Sequence, residues 1–272
     1  MSRAVSLSES ATWWPSTLWQ TTTLELRRDG RRVLVDPGIS RWEIEQVVDA
    51  SELPVSHVVV THADWDHVMG LGLLAEAEVV ASAGAAARIA SGEVRESVGR
   101  EATEMYVEPF ALDGLRVDRP LKLPVDAEIG GWHAICRPAP GHTEDGMSVW
   151  LPEQRLLVVG DHLSELEIPW AYSSVSDLRD TVATLVGVIE RERPEWVVIG
   201  HGRPLTAERA LQIGDEDLDY LDAVLDCAAS GCDPEHAERI AVPERIGSPG
   251  DVQAHAANVR LACQQAARLA VS

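Results

Sequence analysis

Four residues that can bind a metal ion lie within a six-residue segment of this sequence, HADWDH at positions 62–67. The candidate ligands are His62, Asp64, Asp66 and His67. The apolar run 58–60 directly before them predicts a buried strand, and a turn from a strand into a helix can direct such side chains into one cavity. Three imidazole or carboxylate ligands leave an open position on a divalent ion, as a catalytic metal site requires.

Three further candidate ligands occur singly, each in a glycine-containing turn close to the end of a predicted strand. They are His142 in Pro-Gly-His-Thr, Asp161 in Gly-Asp-His and His201 in Gly-His-Gly. One such turn is a weak signal, because histidines are common in surface loops. Strand-end loops are nevertheless where rigid scaffolds present reactive side chains. The recurrence therefore predicts one site with enough donors for two metal ions.

The elements predicted around these turns alternate between strands and helices. Strands are predicted at 21–26, 32–35, 58–60, 78–81, 133–137, 147–151, 156–159 and 196–199, with a hairpin turn at 29–30. Helices are predicted at 41–50, 68–74, 83–90, 177–193 and in the last seventy or so residues, with Ser176 as an N-cap. This order predicts an α/β layered fold. We expect a domain at 1–205 and a C-terminal helical extension at 206–272 packed on it.

Composition narrows the classes of partner. The chain has 272 residues, a net charge of −21 and a single lysine, Lys122. Phosphate backbones are repelled by such a charge, so we expect a small-molecule substrate and no nucleic-acid partner. The apolar runs are too short to cross a bilayer, and the first residues do not have the pattern of a secretory signal. We therefore expect a cytoplasmic protein without a membrane partner, whose four cysteines are reduced thiols.

The order of these motifs resembles the metallo-β-lactamase superfamily, whose first motif, HxHxDH, is followed by single His, Asp and His ligands. The resemblance covers roughly residues 21–204 and includes the strand and turn Val35-Asp36-Pro37-Gly38. It implies a four-layer αβ/βα sandwich of two mixed β-sheets flanked by helices. In that fold the metal site lies at one edge, between the two sheets.

The resemblance also implies a set of three ligands for each of two metal ions, joined by a bridging carboxylate. These are His62, Asp64 and His142 for the first ion, Asp66, His67 and His201 for the second, and Asp161 as the bridge. The sequence departs from the family at Asp64, where the usual residue is histidine. A carboxylate adds negative charge and hard oxygen character, so the predicted pair of Zn²⁺ ions has iron or manganese as its alternative.

The implied activity is hydrolysis by a metal-bound hydroxide of an ester, thioester, lactone or related carbonyl bond. Asp66 would orient the hydroxide, and His162 would contact the substrate or donate a proton to the leaving group. Thr143 and Asp145 are predicted to support His142. A phosphodiesterase acting on a small phosphodiester, and a di-iron or mononuclear iron redox enzyme, remain alternatives. The sequence leaves the substrate and the oligomeric state open.

Overall fold

The computed structural model describes residues 4–105, 107, 112–231, 237, 239–243 and 249–269. The strands in this part of the chain are β1 (Val5–Ser6), β2 (Ala11–Pro15), β3 (Thr22–Arg28), β4 (Arg31–Val35), β5 (Val55–Val59), β6 (Glu78–Ser82), β7 (Arg119–Leu121), β8 (Val125–Ile129), β9 (Trp132–Pro138), β10 (Met147–Leu151), β11 (Leu156–Gly160) and β12 (Trp196–Ile199). The helices are α1 (Arg41–Asp49), α2 (Trp65–Val68), α3 (Ala83–Ala90), α4 (Glu93–Glu104), α5 (Val175–Glu192), α6 (Ala207–Ala229) and α7 (Pro249–Leu269).

The strands form two mixed sheets. The first has the order β1-β2-β3-β4-β5-β6-β7, antiparallel from β1 to β4 and parallel from β4 to β7. The second has the order β12-β11-β10-β9-β8, in which only β11 and β12 are parallel to each other. Parallel neighbours end at the same edge of a sheet, so the loops after β4, β5 and β6 lie side by side.

Three apolar clusters show how the layers are stacked. One lies between the sheets and joins residues such as Leu24 and Val59 of the first sheet to Met147 and Val158 of the second. A second cluster packs α1 to α4 on the outer face of the first sheet, and a third packs α5, α6 and α7 on the second. The predicted four-layer αβ/βα sandwich of two mixed sheets is therefore confirmed.

Several predicted elements differ from the observed ones. Residues 68–74 do not form an α-helix: α2 ends at Val68 and a 3₁₀ turn covers Met69–Leu73. Two glycines in this turn have low helix propensity, and Gly70 packs directly on the Pro37 carbonyl. The N-cap of α5 is Ser174 rather than Ser176, because the Ser174 hydroxyl accepts a hydrogen bond from the Asp177 N–H at 3.1 Å.

Strands β1, β2, β7 and β8 were not predicted, and the N-terminal hairpin extends the first sheet. Cys136 and Cys227 are buried free thiols, whereas Cys263 is disulfide-bonded. The prediction of four reduced thiols is therefore wrong for Cys263. Among the described residues, none of the helices combines the length and apolar character needed to span a bilayer.

Helix α7 holds the loop that follows β11. Asn258 accepts a hydrogen bond from the Ala171 N–H at 2.9 Å and donates one to the Pro169 carbonyl at 2.6 Å. Gln265 donates to the Ser173 carbonyl at 3.1 Å. The C-terminal helix thus fixes a segment that, as described below, lines the candidate site.

Candidate metal centre

All seven predicted ligands lie at one edge of the sandwich, where strands of both sheets end. The loop after β5 and the first turn of α2 carry His62, Asp64, Asp66 and His67, all from the first sheet. The second sheet supplies the others: His142 from the β9–β10 loop, Asp161 after β11 and His201 after β12. The site therefore depends on the packing of the two sheets against each other.

His62, Asp64 and His142 form one cluster, here called the first half-site. Asp64 Oδ2 lies 3.3 Å from His142 Nε2 and 3.7 Å from His62 Nε2. Both histidines are buried, while the Asp64 side chain is 20% exposed. The three ligand atoms lie within 4.8 Å of one another, a spacing that one metal ion can span.

Asp66, His67 and His201 form the second half-site. Asp66 Oδ2 lies 3.4 Å from His201 Nε2 and 3.5 Å from His67 Nε2, and all three side chains are buried. The Thr21 hydroxyl donates to Asp66 Oδ2 at 3.3 Å and so fixes the carboxylate. This half-site also brings its ligand atoms within 4.8 Å of one another.

Asp161 lies between the half-sites. Its Oδ2 is 3.6 Å from His62 Nε2, 3.4 Å from His142 Nε2 and 3.2 Å from His201 Nε2, and its Oδ1 is 3.2 Å from His67 Nε2. One carboxylate thus faces imidazoles of both half-sites. This is the position that a bridging ligand requires.

Gly200 allows this approach. A Cβ atom at residue 200 would overlap Asp161 Oδ1, so any other residue would displace the carboxylate. Gly200 also donates a backbone hydrogen bond to the Gly160 carbonyl at 2.7 Å, which joins the ends of β11 and β12. The glycine before His201 is therefore needed by Asp161, a residue at the end of a different strand.

The four imidazoles share one orientation, with Nε2 directed into the cluster and Nδ1 directed away from it. The Nδ1 neighbours are Thr61 Oγ1 for His62 at 3.1 Å, Asp36 Oδ2 for His67 at 3.2 Å, the Trp170 carbonyl for His142 at 2.8 Å and the Trp19 carbonyl for His201 at 3.3 Å. Such neighbours fix the ring and leave the Nε2 lone pair for a metal.

Several inward-facing atoms lack a hydrogen bond within the described part of the chain: Nε2 of His62, of His67 and of His142, and Oδ1 of Asp161. A buried polar atom without a partner costs roughly 1–3 kcal/mol, so such a group requires an explanation. Ligands about 2.0–2.1 Å from a tetrahedral ion lie about 3.3–3.4 Å from each other. The observed separations are close to this value, so the residues present fit divalent metal ions.

Electrostatics favour cations here. Burial alone would raise the pKa values of Asp64 and Asp161, but the neighbouring imidazoles hold both pKa values well below their usual range. Burial would likewise lower the pKa values of the histidines, but the carboxylates raise the pKa of His142 to about 9 and that of His201 to about 10. The carboxylates therefore stay ionised, and an incoming metal ion must displace protons from the imidazoles.

His162 is buried beside the cluster, and within the described residues neither of its ring nitrogens has a hydrogen-bond partner. Burial lowers the pKa of His162 to about 3, so the ring is neutral. The prediction that Thr143 and Asp145 support His142 is wrong. The hydrogen-bond partner of His142 Nδ1 is the Trp170 carbonyl. Asp145 instead accepts a hydrogen bond from the Ala63 N–H at 2.7 Å.

Sequence reasoning missed Arg88, whose guanidinium lies 2.9 Å from Asp64 Oδ1. An isolated arginine in the alanine-rich α3 was the available signal, but its partner could not be deduced from spacing. Sequence reasoning favoured core packing for Trp19, as against lining the mouth of a cleft, and it missed Tyr172. Exposed Trp19 lies 6.3 Å from the His201 ring, and exposed Tyr172 lies 5.1 Å from the His142 ring.

Comparisons with known proteins point to one family. Residues 16–220 match the metallo-β-lactamase superfamily. A probable metallo-hydrolase of Streptococcus pyogenes serotype M6 is 29% identical over 146 residues, which are 52% of this chain and 61% of that protein. The chain thus spans less than two thirds of that relative's length.

Two solved structures illustrate the likeness in fold. A metallo-β-lactamase family protein from Thermus thermophilus superimposes with a TM-score of 0.66 and 19% identity, over 93% of each chain. The inverting sec-alkylsulfatase Pisa1 from Pseudomonas sp. gives a TM-score of 0.76 and 13% identity, over 97% of this chain and 50% of that one. Since the family match extends over most of the sequence, the chain belongs to the metallo-β-lactamase superfamily.

Proposed function

We propose that this chain is a metal-dependent hydrolase of a small, uncharged molecule with an ester, thioester, lactone or related carbonyl bond. The observation that carries the proposal is the pair of half-sites joined by Asp161, with unpartnered Nε2 atoms directed between them. Two ions would be held by the ligand sets already described, zinc in the first instance. We further propose that the protein acts without a nucleic-acid or membrane partner.

Bound divalent ions would supply Lewis-acid polarisation of the carbonyl and a lower pKa for water. The chain's own contribution is positioning. Thr21 holds Asp66 through Oδ2, and among the described residues Asp66 Oδ1 receives no hydrogen bond. This oxygen can therefore accept a hydrogen bond from the attacking water and orient it. His162 stays a candidate for contact with the substrate or its leaving group.

The rim of the site favours an uncharged or apolar substrate. Trp19, Leu166 and Tyr172 are exposed, and Leu166 packs against Gly202 next to a predicted ligand. Glu167 lines the cavity beside His142. An anionic substrate would meet this carboxylate, whereas an apolar acyl group would bury surface against the aromatic rings.

Arg88 does not reverse this preference. It is the one guanidinium of the described residues within ion-pair distance of a predicted ligand, and it is engaged by Asp64, Asp145 and Glu93. The guanidinium of Arg88 is therefore already paired, and it is not available to bind the negatively charged oxygens of a phosphodiester or a sulfate ester. We rank the carbonyl substrate above the phosphodiester on this ground.

A second candidate, an iron-dependent redox reaction on the same scaffold, is favoured by one observation, the hard carboxylate oxygen of Asp64 in the first half-site. Elemental analysis of the purified protein separates the two candidates, because zinc supports hydrolysis and stoichiometric iron supports the redox reaction.

Turnover of matched substrates tests the bond type. The panel contains an apolar ester, a thioester and a lactone, and, with the same apolar group, an alkyl sulfate and a bis-aryl phosphate. We expect the carbonyl compounds to be hydrolysed faster than the sulfate and the phosphate. Glu167→Gln should reduce this difference, because it should raise the rate of hydrolysis of the anionic substrates only. If only the phosphate or the sulfate reacts, the assignment is wrong. The exposed His133, which lies outside the cluster, gives the control variant His133→Ala.

A further inference from the structure

Arg88 on α3 makes three ion pairs at once. Its Nη2 lies 2.9 Å from Asp64 Oδ1, its Nη1 lies 2.9 Å from Asp145 Oδ1 and its Nε lies 2.9 Å from Glu93 Oε1. The Arg88 side chain is 22% exposed and that of Asp145 is 3% exposed. Planar, paired donors of this kind fix the direction of a carboxylate better than a single ammonium group does.

Two of these carboxylates belong to the segments that build the first half-site. Asp64 is itself a predicted ligand, and Asp145 lies three residues after His142. The Asp145 carboxylate also accepts a hydrogen bond from the Ala63 N–H at 2.7 Å, within the loop that joins His62 to Asp64. Arg88 therefore connects the ligand loop of the first sheet to the ligand loop of the second.

The ion pair with Arg88 also gives the two carboxylate oxygens of Asp64 different partners. Oδ1 is bound by the guanidinium, while Oδ2 faces His142 Nε2 at 3.3 Å and His62 Nε2 at 3.7 Å. A carboxylate can bind a metal through one or both oxygens. With Oδ1 occupied, Asp64 offers one oxygen at a defined position, and the guanidinium offsets part of its negative charge.

We propose that Arg88 is a positioning residue that makes Asp64 a one-oxygen metal ligand and thereby sets the metal affinity of the first half-site. The inference rests on the proposed function only through its metal centre. It assigns no contact between Arg88 and the substrate. The second half-site has no comparable partner, because no guanidinium lies within ion-pair distance of Asp66 among the described residues.

Metal binding by Arg88→Gln tests the proposal. The metal-free protein is titrated with Mn²⁺ or Zn²⁺ alone against a chromophoric chelator, and bound metal is counted after dialysis. Wild type should bind two ions. We expect the variant to bind one of them roughly 10–100-fold more weakly, the usual loss when a residue that orients a ligand is removed. The matched control is Glu93→Gln, which removes the most exposed arm of the same network and should leave both affinities unchanged.

The background Asp64→His separates positioning of Asp64 from a general structural role. An imidazole at residue 64 has no oxygen for Arg88 to hold, so Arg88→Gln should cost little affinity there. An equal loss in both backgrounds would mean that Arg88 merely supports the loop through Asp145, and would overturn the proposal. Unchanged affinity in the Arg88→Gln single variant would overturn it as well.

Circular dichroism of the metal-free proteins confirms that each variant is folded. Should Arg88→Gln fail to fold, Arg88→Lys replaces it, because lysine keeps the charge without the planar pair of donors. Wild-type protein that binds no metal would contradict the proposed function. Wild-type protein that binds two ions, with both affinities retained in the variant, would contradict only the role of Arg88.

Discussion

The two half-sites differ in the exposure of their carboxylates, Asp64 and Asp66, and in the side chains that contact them. In the first, Asp64 shares its charge with Arg88 and is partly exposed. In the second, Asp66 is buried, is fixed by the Thr21 hydroxyl and has no described guanidinium beside it. Because Asp66 is buried as well as fixed, its attraction for a cation is screened less by water, and we expect the second half-site to bind its ion more tightly. Asp161 belongs to both and couples them.

The largest expected effect comes from Asp161→Ala, which removes the carboxylate that faces both half-sites. The imidazoles would lose the negative charge that holds them together, so both ions should be lost. The cost should exceed the roughly 10–100-fold that a supporting residue contributes. Metal content after dialysis is the measurement, and retention of two ions would show that Asp161 is no bridge.

The next largest effect is expected from Asp66→Ala, because this change damages the second half-site and removes the group proposed to orient the attacking water. We expect kcat to fall by roughly 10²–10⁴-fold, the range of an oriented acid–base group. Asp64→Ala should reduce kcat less, since the second half-site stays complete. Steady-state kinetics at saturating metal compares the kcat values of the two variants. An equal loss of kcat would contradict the expected difference between the half-sites.

A smaller effect is expected from Gly200→Ala, whose methyl group would push Asp161 out of its position between the half-sites. Overpacking of this kind costs roughly 1–3 kcal/mol of stability and should weaken both metal affinities together. Gly187→Ala is the control, because a Cβ atom at that position of α5 would meet no atom within 4 Å. Urea unfolding and metal titration distinguish the two variants.

The smallest effect concerns pH. The pKa of His142 is raised from 6.5 to about 9 and that of His201 to about 10, so their charged forms stabilise the folded metal-free protein. This contribution is complete below pH 6.5 and is lost as pH rises through 9 to 10. The Tm of the metal-free protein should therefore fall over that interval.

The same change of pH should affect the metal-loaded protein less, because a neutral imidazole is the form that binds metal. Scanning calorimetry from about pH 6 to about pH 10 tests both expectations. His142→Ala should remove the lower part of the decline and His201→Ala the upper part. Parallel Tm curves with and without metal would contradict this assignment of the protons.

Much of the fold was predictable because its signals are local. The strands β3 to β6 and β9 to β12 are short apolar runs bounded by turn residues, so periodicity indicates them directly. Strands β1, β2, β7 and β8 escaped prediction. β1 and β7 are only 2 and 3 residues long and β2 ends at a proline, whereas β8 alternates regularly but contains Asp126, Ala127 and Glu128, which have low strand propensity. The 3₁₀ turn after α2 likewise depends on the contact of Gly70 with the Pro37 carbonyl.

The sequence alone determined the layered fold class and the seven side chains that the structure brings to one edge, because a metal ligand is recognised by residue type and by its place after a strand. Tertiary structure decided which atoms face each other. The Arg88–Asp64 pair, the dependence of Asp161 on Gly200 and the Trp170 carbonyl behind His142 join residues that are well separated in the sequence. No local pattern encodes such contacts, because they arise only when the two sheets pack and their loops meet.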